Sequence, residues 1–258
     1  MTVVDESQPG ALAAAAAALA EGGTVVVPSR TNYALICDAE DPAAVERVYK
    51  AKERTKFGPL TLALPRIDLA GRYVRLLPEF GLPELHEVWP AEVSFIFELT
   101  YPLPPRMTMG AGTVAVMFHP PCALQRLLTL YGRPVGLTSA NLSGQGNIVV
   151  TREKAIEDVG DRVDVVVVND RLDEVVDVAA LGVQPSNTIA DLSFSPPFLV
   201  RDGAYPPERL LRWLPGLVLD TAAYQEALRA RLARAGQTAQ TAQTAPAATA
   251  ARTANTGQ

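Results

Sequence analysis

The sequence predicts an α/β or α+β fold built on one sheet of mixed strand direction. Short valine-rich apolar runs alternate with segments of helical periodicity, and glycine, proline or aspartate marks most boundaries. The run Val163–Val168 has the apolar character of a strand covered on both faces. At 258 residues and 48% hydrophobic content, one core-forming domain followed by a tail is favoured.

Taken in order, residues 11–21 are rich in alanine and leucine and read as a helix ended by Gly22-Gly23. Thr24–Val27 is a buried-strand pattern stopped by Pro28. Ser29-Arg30-Thr31-Asn32-Tyr33 is then a polar loop at a strand end, a position that commonly faces a ligand in open α/β sheets. Asp41-Pro42 gives a capping carboxylate and a proline at the first helical position; Val45, Val48, Tyr49 and Lys52 then share one face. Gly58-Pro59 closes that helix. Leu60–Leu64, Val93–Leu99, Val114–Phe118 and Val135–Thr138 read as strands, and Leu124–Leu130 and Thr151–Val159 as helices. Thr188–Leu192 and Pro197–Arg201 complete the sheet, before a short helix at Glu208–Leu214. The expected divisions are an N-terminal helix in 1–21, a domain over 22–219, and a tail over 220–258. In that tail a charged helix, Ala222–Ala235, leads into a Gln/Thr/Ala-rich stretch expected to be disordered. Truncation after Leu219 is accordingly expected to leave the fold intact.

Composition excludes several function classes. A formal net charge of -5 and a pI near 5.2 argue against broad nucleic-acid binding through phosphate neutralisation. Cys37 and Cys122 are too few for a disulfide framework or a thiolate zinc site, so no disulfide partner is expected. His86 and His119 show no ligand spacing, so no protein-held metal is expected. No apolar run approaches the roughly 20 residues that span a bilayer. Ala11–Ala20 lacks the basic start of a secretory signal. The expectation is a cytoplasmic protein with no membrane partner.

Three of the four lysines, Lys50, Lys52 and Lys56, fall within one seven-residue stretch that also holds Arg54. Lys50 has Glu46 four residues earlier, whereas Lys52 and Arg54 have no acidic residue three or four positions away. Two readings stay open: a site for phosphate or carboxylate, or a cationic helix end complementing the dipole. The later turn Ser139-Ala140-Asn141-Leu142-Ser143-Gly144 offers hydroxyl, amide and backbone N–H groups, or is an ordinary connection. Neither common glycine-rich nucleotide loop is present, nor a G-x-S-x-G elbow.

Six fragments, in order, resemble the YrdC-type threonylcarbamoyl-AMP synthases, from about Gly22 to Pro207. Pro28–Leu35 looks like P-T-x-T-x-Y-G-L, and Lys52-Glu53-Arg54 with Pro59-Leu60 like K-x-R…P-L. Trp89-Pro90 is similar to the start of W-P-G-P-L-T, and Ser139–Gly144 to S-x-N-x-S-G. Asn187–Leu192 looks like S-T-V-x-D-L, and Arg201-Asp202-Gly203 like R-x-G. The resemblance implies a YrdC-like twisted mixed sheet flanked by helices, with a deep cationic cleft. It implies an enzyme combining L-threonine, bicarbonate and ATP into threonylcarbamoyl-AMP and pyrophosphate, with Mg2+ carried by the nucleotide. A tRNA-modifying transferase acting on adenosine-37 would use the product. Lys52 and Arg54 would contact carbamate and phosphate oxygens, and Ser139 and Asn141 would hold the adenylate. Thr31, Tyr33 and Ser143 would serve the threonine side, and Lys56, Thr188 and Arg201 the nucleotide.

The departures concentrate on these fragments. Arg30 replaces a usually acidic residue, Ala34 a glycine, and Ala91-Glu92-Val93-Ser94 replaces G-P-L-T. Met117 stands where an arginine is usual, and Asn187 where a serine is. They leave two alternatives: a paralogue carbamoylating another amine, or a nucleotide- or RNA-binding module without turnover.

Overall fold

The computed structural model describes residues 1–30, 32–53, 58–145, 148–169 and 186–244. Ten strands form a single mixed sheet in the order β1-β8-β2-β3-β7-β4-β6-β5-β9-β10. The expected strands appear as β2 (Thr24–Pro28), β4 (Thr61–Ala63), β5 (Val93–Glu98), β6 (Thr113–Met117), β7 (Val135–Ser139), β8 (Val165–Val168), β9 (Thr188–Asp191) and β10 (Phe198–Arg201). Two were not foreseen. β1 (Thr2–Asp5) pairs in parallel with β8, and β3 (Tyr33–Asp38) lies antiparallel between β2 and β7. All six residues of β3 are buried, so it carries no alternation that would separate it from the preceding loop.

Mixed direction follows from the pairings: β1–β8, β8–β2, β4–β6 and β5–β9 are parallel, and the remaining neighbours antiparallel. Val25–Val27 and Val166-Val167 are wholly inaccessible and anchor the core. In β7, a Cβ at Gly136 would meet Met107 Sδ at 2.9 Å and Leu60 Cδ1 at 3.1 Å, so a larger residue there would require those side chains to shift.

Helix α1 (Ala11–Ala20) packs against α6 (Ala123–Tyr131) beside the sheet. Helix α2 (Pro42–Ala51) starts as its sequence dictates, with the Asp41 carboxylate accepting the Ala43 N–H at 2.8 Å. Its Glu46 forms an ion pair with Arg106 at 3.4 Å. The short helices α3 (Ala70–Tyr73), α4 (Leu82–Val88) and α5 (Pro105–Thr108) had no expectation; at seven residues or fewer they hold too little periodicity to read. Helix α7 (Arg152–Val159) is capped by Thr151, whose hydroxyl accepts the Lys154 N–H at 3.2 Å. The short helix expected at Glu208–Leu214 is a 3-10 turn over Pro207–Arg212.

Helix α8 runs Thr221–Thr244, longer than the Ala222–Ala235 helix read from sequence; residues 245–258 lie outside the described residues. Its first turns are also part of the domain. Tyr224 is buried, with its ring 6.0 Å from Phe194 and 6.1 Å from Phe198, and its hydroxyl lies 3.3 Å from the Asp191 carboxylate. Arg231 donates to the hydroxyl and the carbonyl of Ser193, both at 2.8 Å. A charged helix can thus belong to the fold through one buried aromatic and one arginine. Truncation after Leu219 is therefore expected to lower the melting midpoint by roughly 5 °C or more, while truncation after Arg234 leaves it unchanged. Calorimetry on the two shortened chains checks this.

Candidate functional site

Helix α2 ends at Ala51, and Lys52 follows in its last helical conformation. The next residue, Glu53, is left-handed at φ 45, which turns the chain away sharply. Arg162 steadies that turn, pairing with the Glu53 carboxylate at 2.6 Å and donating to the Ala51 carbonyl at 3.1 Å. Lys52 is thereby sent inward. It is 2% exposed, and its Nζ donates to the carbonyl oxygens of both Ser139 and Asn141. The two segments singled out from the sequence therefore meet. Lys52 is not the solvated helix-end cation that one reading allowed.

The turn at 139–144 is built around that contact. The Ser139 hydroxyl donates to Asn141 Oδ1 at 2.6 Å, and Asn141 Nδ2 reaches Gln145 Oε1 at 3.3 Å. The N–H groups of Ala140, Leu142 and Ser143 go to the Tyr33 carbonyl, the Asp158 carboxylate and the Lys52 carbonyl, at 2.9, 3.0 and 3.4 Å. These three amides are spent on groups of the protein itself and hold the turn together, as in the ordinary-connection reading of this segment. The Ser143 hydroxyl is different: it is buried with no hydrogen-bond partner among the described residues. A buried hydroxyl left unsatisfied is costly unless something else completes it.

Tyr33 opens β3 beside this turn, its ring buried and its hydroxyl accepting the Asn169 N–H at 3.4 Å. The preceding loop is fixed by Ser29, whose hydroxyl donates to the Asn32 carbonyl at 2.6 Å. Asn32 in turn accepts the Val150 N–H through its side chain. Thr31, Arg54 and Lys56 lie outside the described residues.

Thr188 and Arg201 form a second group. Register places Ser139 beside Ala34, and Pro28 beside Tyr33, at one end of the central strands. By strand direction the starts of β5 and β9 and the end of β10 are opposite termini to the end of β7, but twist accumulated along the sheet brings them back beside the first group, where Arg30 and Glu92 touch. There the Thr188 hydroxyl donates to the Tyr205 carbonyl, and Arg201 Nε donates to the Asn187 carbonyl at 2.9 Å. Gly203 explains the R-x-G pattern: a Cβ would lie 2.4 Å from the backbone of Asn187 and Thr188. The glycine lets one backbone press against the other and fixes both residues.

The departing residues join the two groups. Arg30, beside the first, makes an ion pair with Glu92, beside the second, at 3.2 Å. Glu92 adjoins Thr188 directly, accepting its N–H at the backbone carbonyl at 3.0 Å. Glu92 Oε1 is buried and has no directed hydrogen bond among the described residues. Met117 Sδ is approached by Asn187 Nδ2 at 3.2 Å and by the Ser94 hydroxyl at 3.8 Å. Four of the positions that break the family pattern are thus two contacting pairs.

The remaining conspicuous residues are structural. His119 is 5% exposed, and burial holds its imidazole down to about 3, so it is neutral at ordinary pH. Burial pushes the Cys122 thiol up to about 11, which keeps it protonated. Trp89 is buried with its Nε1 donating to the Val93 carbonyl at 2.9 Å. Asp158 escaped the sequence reading: its place four residues after Lys154 was visible, but not its reach from α7 to the turn.

The family model Sua5_yciO_yrdC, described as telomere recombination, matches residues 17–203. The chain is 25% identical over 214 residues to a threonylcarbamoyl-AMP synthase of Pyrococcus abyssi, covering 83% of this chain and 60% of that protein. It is 34% identical over 143 residues to the human threonylcarbamoyl-AMP synthase, covering 55% of this chain and 50% of that protein. Among solved structures, P. abyssi Sua5 complexed with L-threonine aligns with TM-score 0.74 and 26% identity, over 86% of this chain and 63% of that one. E. coli YciO has the same fold, with TM-score 0.66 and 21% identity over 83% of this chain and 98% of that one.

Two stability outcomes follow from the turn. Lys52→Met would leave two carbonyls without their donor and is expected to cost about 2–4 kcal/mol in urea unfolding. Burial alone would raise the Asp158 carboxyl, but the Lys154 ammonium at 2.6 Å and the Leu142 N–H hold it below the ordinary carboxylate value. Its contribution is therefore present above pH of about 4 and fades as the pH falls through the lowered value. Asp158→Asn should be less stable than the parent at pH 7, and the gap should narrow at pH 3.

Proposed function

The chain belongs to the Sua5/YciO/YrdC family, and on that premise we propose that it is an L-threonylcarbamoyladenylate synthase, an enzyme that joins L-threonine, bicarbonate and ATP and releases pyrophosphate. The observation that carries the reading is the Lys52 contact, which unites the K-x-R segment with the S-x-N-x-S-G turn. Attack on phosphorus calls for neutralised oxygens and aligned reactants more than for a covalent nucleophile. Lys52 brings a fixed positive charge beside Ser139 and Asn141, and the two carbonyls orient it. Ser139, Asn141 and the unsatisfied Ser143 hydroxyl are the polar groups available to the adenylate and the amino acid. By the family resemblance Arg54 and Lys56 would contribute charge to the proposed deep cationic cleft, Thr31 and Tyr33 would border the threonine, and Thr188 and Arg201 the nucleotide.

Among the described residues no three His, Cys, Asp or Glu side chains converge on a metal position. Mg2+ would arrive with ATP, held mostly by phosphate and water ligands as is usual for nucleotide-borne magnesium. No helix among the described residues is long and apolar enough to cross a membrane. The product would pass to a transferase modifying tRNA adenosine-37. Met117 and Glu92 remove a cation and add a carboxylate where phosphate would bind, and on that ground the second reading is a divergent paralogue that carbamoylates another amine or binds a nucleotide or RNA without turnover.

Incubation with ATP, bicarbonate and L-threonine should release pyrophosphate only when all three are present. Release with a different amine alone would establish the second reading, and nucleotide binding without release would reduce the chain to a binding module. Arg54→Ala should lower kcat/KM at least about tenfold, on the order of 1.4 kcal/mol. Unchanged turnover would remove Arg54 from the site.

A further inference from the structure

Arg30, in the β2–β3 loop, and Glu92, just before β5, meet at 3.2 Å, with side chains 59% and 17% exposed. The loop that carries Arg30 is tied down at Ser29 and Asn32, so the guanidinium starts from a fixed base and extends into solvent. Its partner is poorly matched. Glu92 Oε1 is buried and lacks a directed hydrogen bond, so the pair is held by charge without the fork geometry that makes an arginine–carboxylate bond strong. Around it this end of the sheet supplies a thioether, an amide and two hydroxyls, from Met117, Asn187, Ser94 and Thr188. An exposed guanidinium held by one singly matched carboxylate is well suited to change partners, because phosphate oxygens accept it in bidentate geometry.

We propose that Arg30 is a phosphate-binding and specificity-determining residue: Glu92 holds it when the site is empty, and the oligophosphate of the nucleotide takes it over on binding. This rests on the nucleotide-using reading given above. Arg30 then supplies from the β2–β3 loop the charge that Met117 does not supply from β6. Glu92 acts as an internal competitor that weakens phosphate binding.

Calorimetric titration of the full chain with ATP and with inorganic pyrophosphate tests this. Glu92→Gln removes the competitor and should tighten both ligands roughly threefold. Arg30→Ala alone leaves a carboxylate without its cation and could fail to fold, so the informative variant is the double change Arg30→Ala, Glu92→Gln. It should bind about tenfold more weakly than Glu92→Gln. The proposal is overturned if Glu92→Gln binds pyrophosphate no more tightly than the parent, or if the double variant matches Glu92→Gln. A parent chain that binds neither ATP nor pyrophosphate would overturn the nucleotide-using reading as well, whereas ordinary binding that ignores Arg30 would overturn this inference alone.

Discussion

The buried Lys52 ammonium is the constraint around which the first half of the site is arranged. It draws the end of α2 and the end of β7 together through two carbonyls, and a charge so enclosed must have its donors directed. Everything adjacent serves that demand. Glu53 adopts a left-handed conformation to turn the chain, Arg162 holds Glu53, and Asp158 holds the amide of Leu142 from the opposite side. The turn owes its shape to these anchors, and the shape leaves the Ser143 hydroxyl unsatisfied.

A second organisation surrounds the starts of β5 and β9, where backbone packing dominates. Gly203 against Asn187 and Thr188, and Arg201 against the Asn187 carbonyl, fix the start of β9 without a buried charge. The two halves differ in kind: one is set by a cation, the other by close approach of main chains. Arg30 and Glu92 connect them, and α8 supports the outer side through Tyr224 and Arg231.

Much of this was legible in the residues. Asp41-Pro42, Thr151 and the valine runs announced α2, α7, β2 and β8, because caps and continuous apolar stretches are local signals. β3 was not legible, since a strand buried on both faces beside a polar loop has no period of its own. The tail helix extends further than its sequence reading because alanine and glutamine also favour helix, and the residues that dock α8 are two side chains in a mostly polar sequence. The convergence of Lys52 with Ser139 was legible as a pair of conspicuous segments, but the direction of their hydrogen bonds was not. From composition the amides of the turn could serve an anion or an ordinary connection; three of them are spent internally.

The Arg30–Glu92 contact also bears on how such a chain could have diverged. With the acid that the family pattern has at position 30, a glutamate at 92 would face a second carboxylate, so the two departures offset one another in charge. Neutralising either position alone therefore changes the charge balance of this stretch, whereas neutralising both together preserves it.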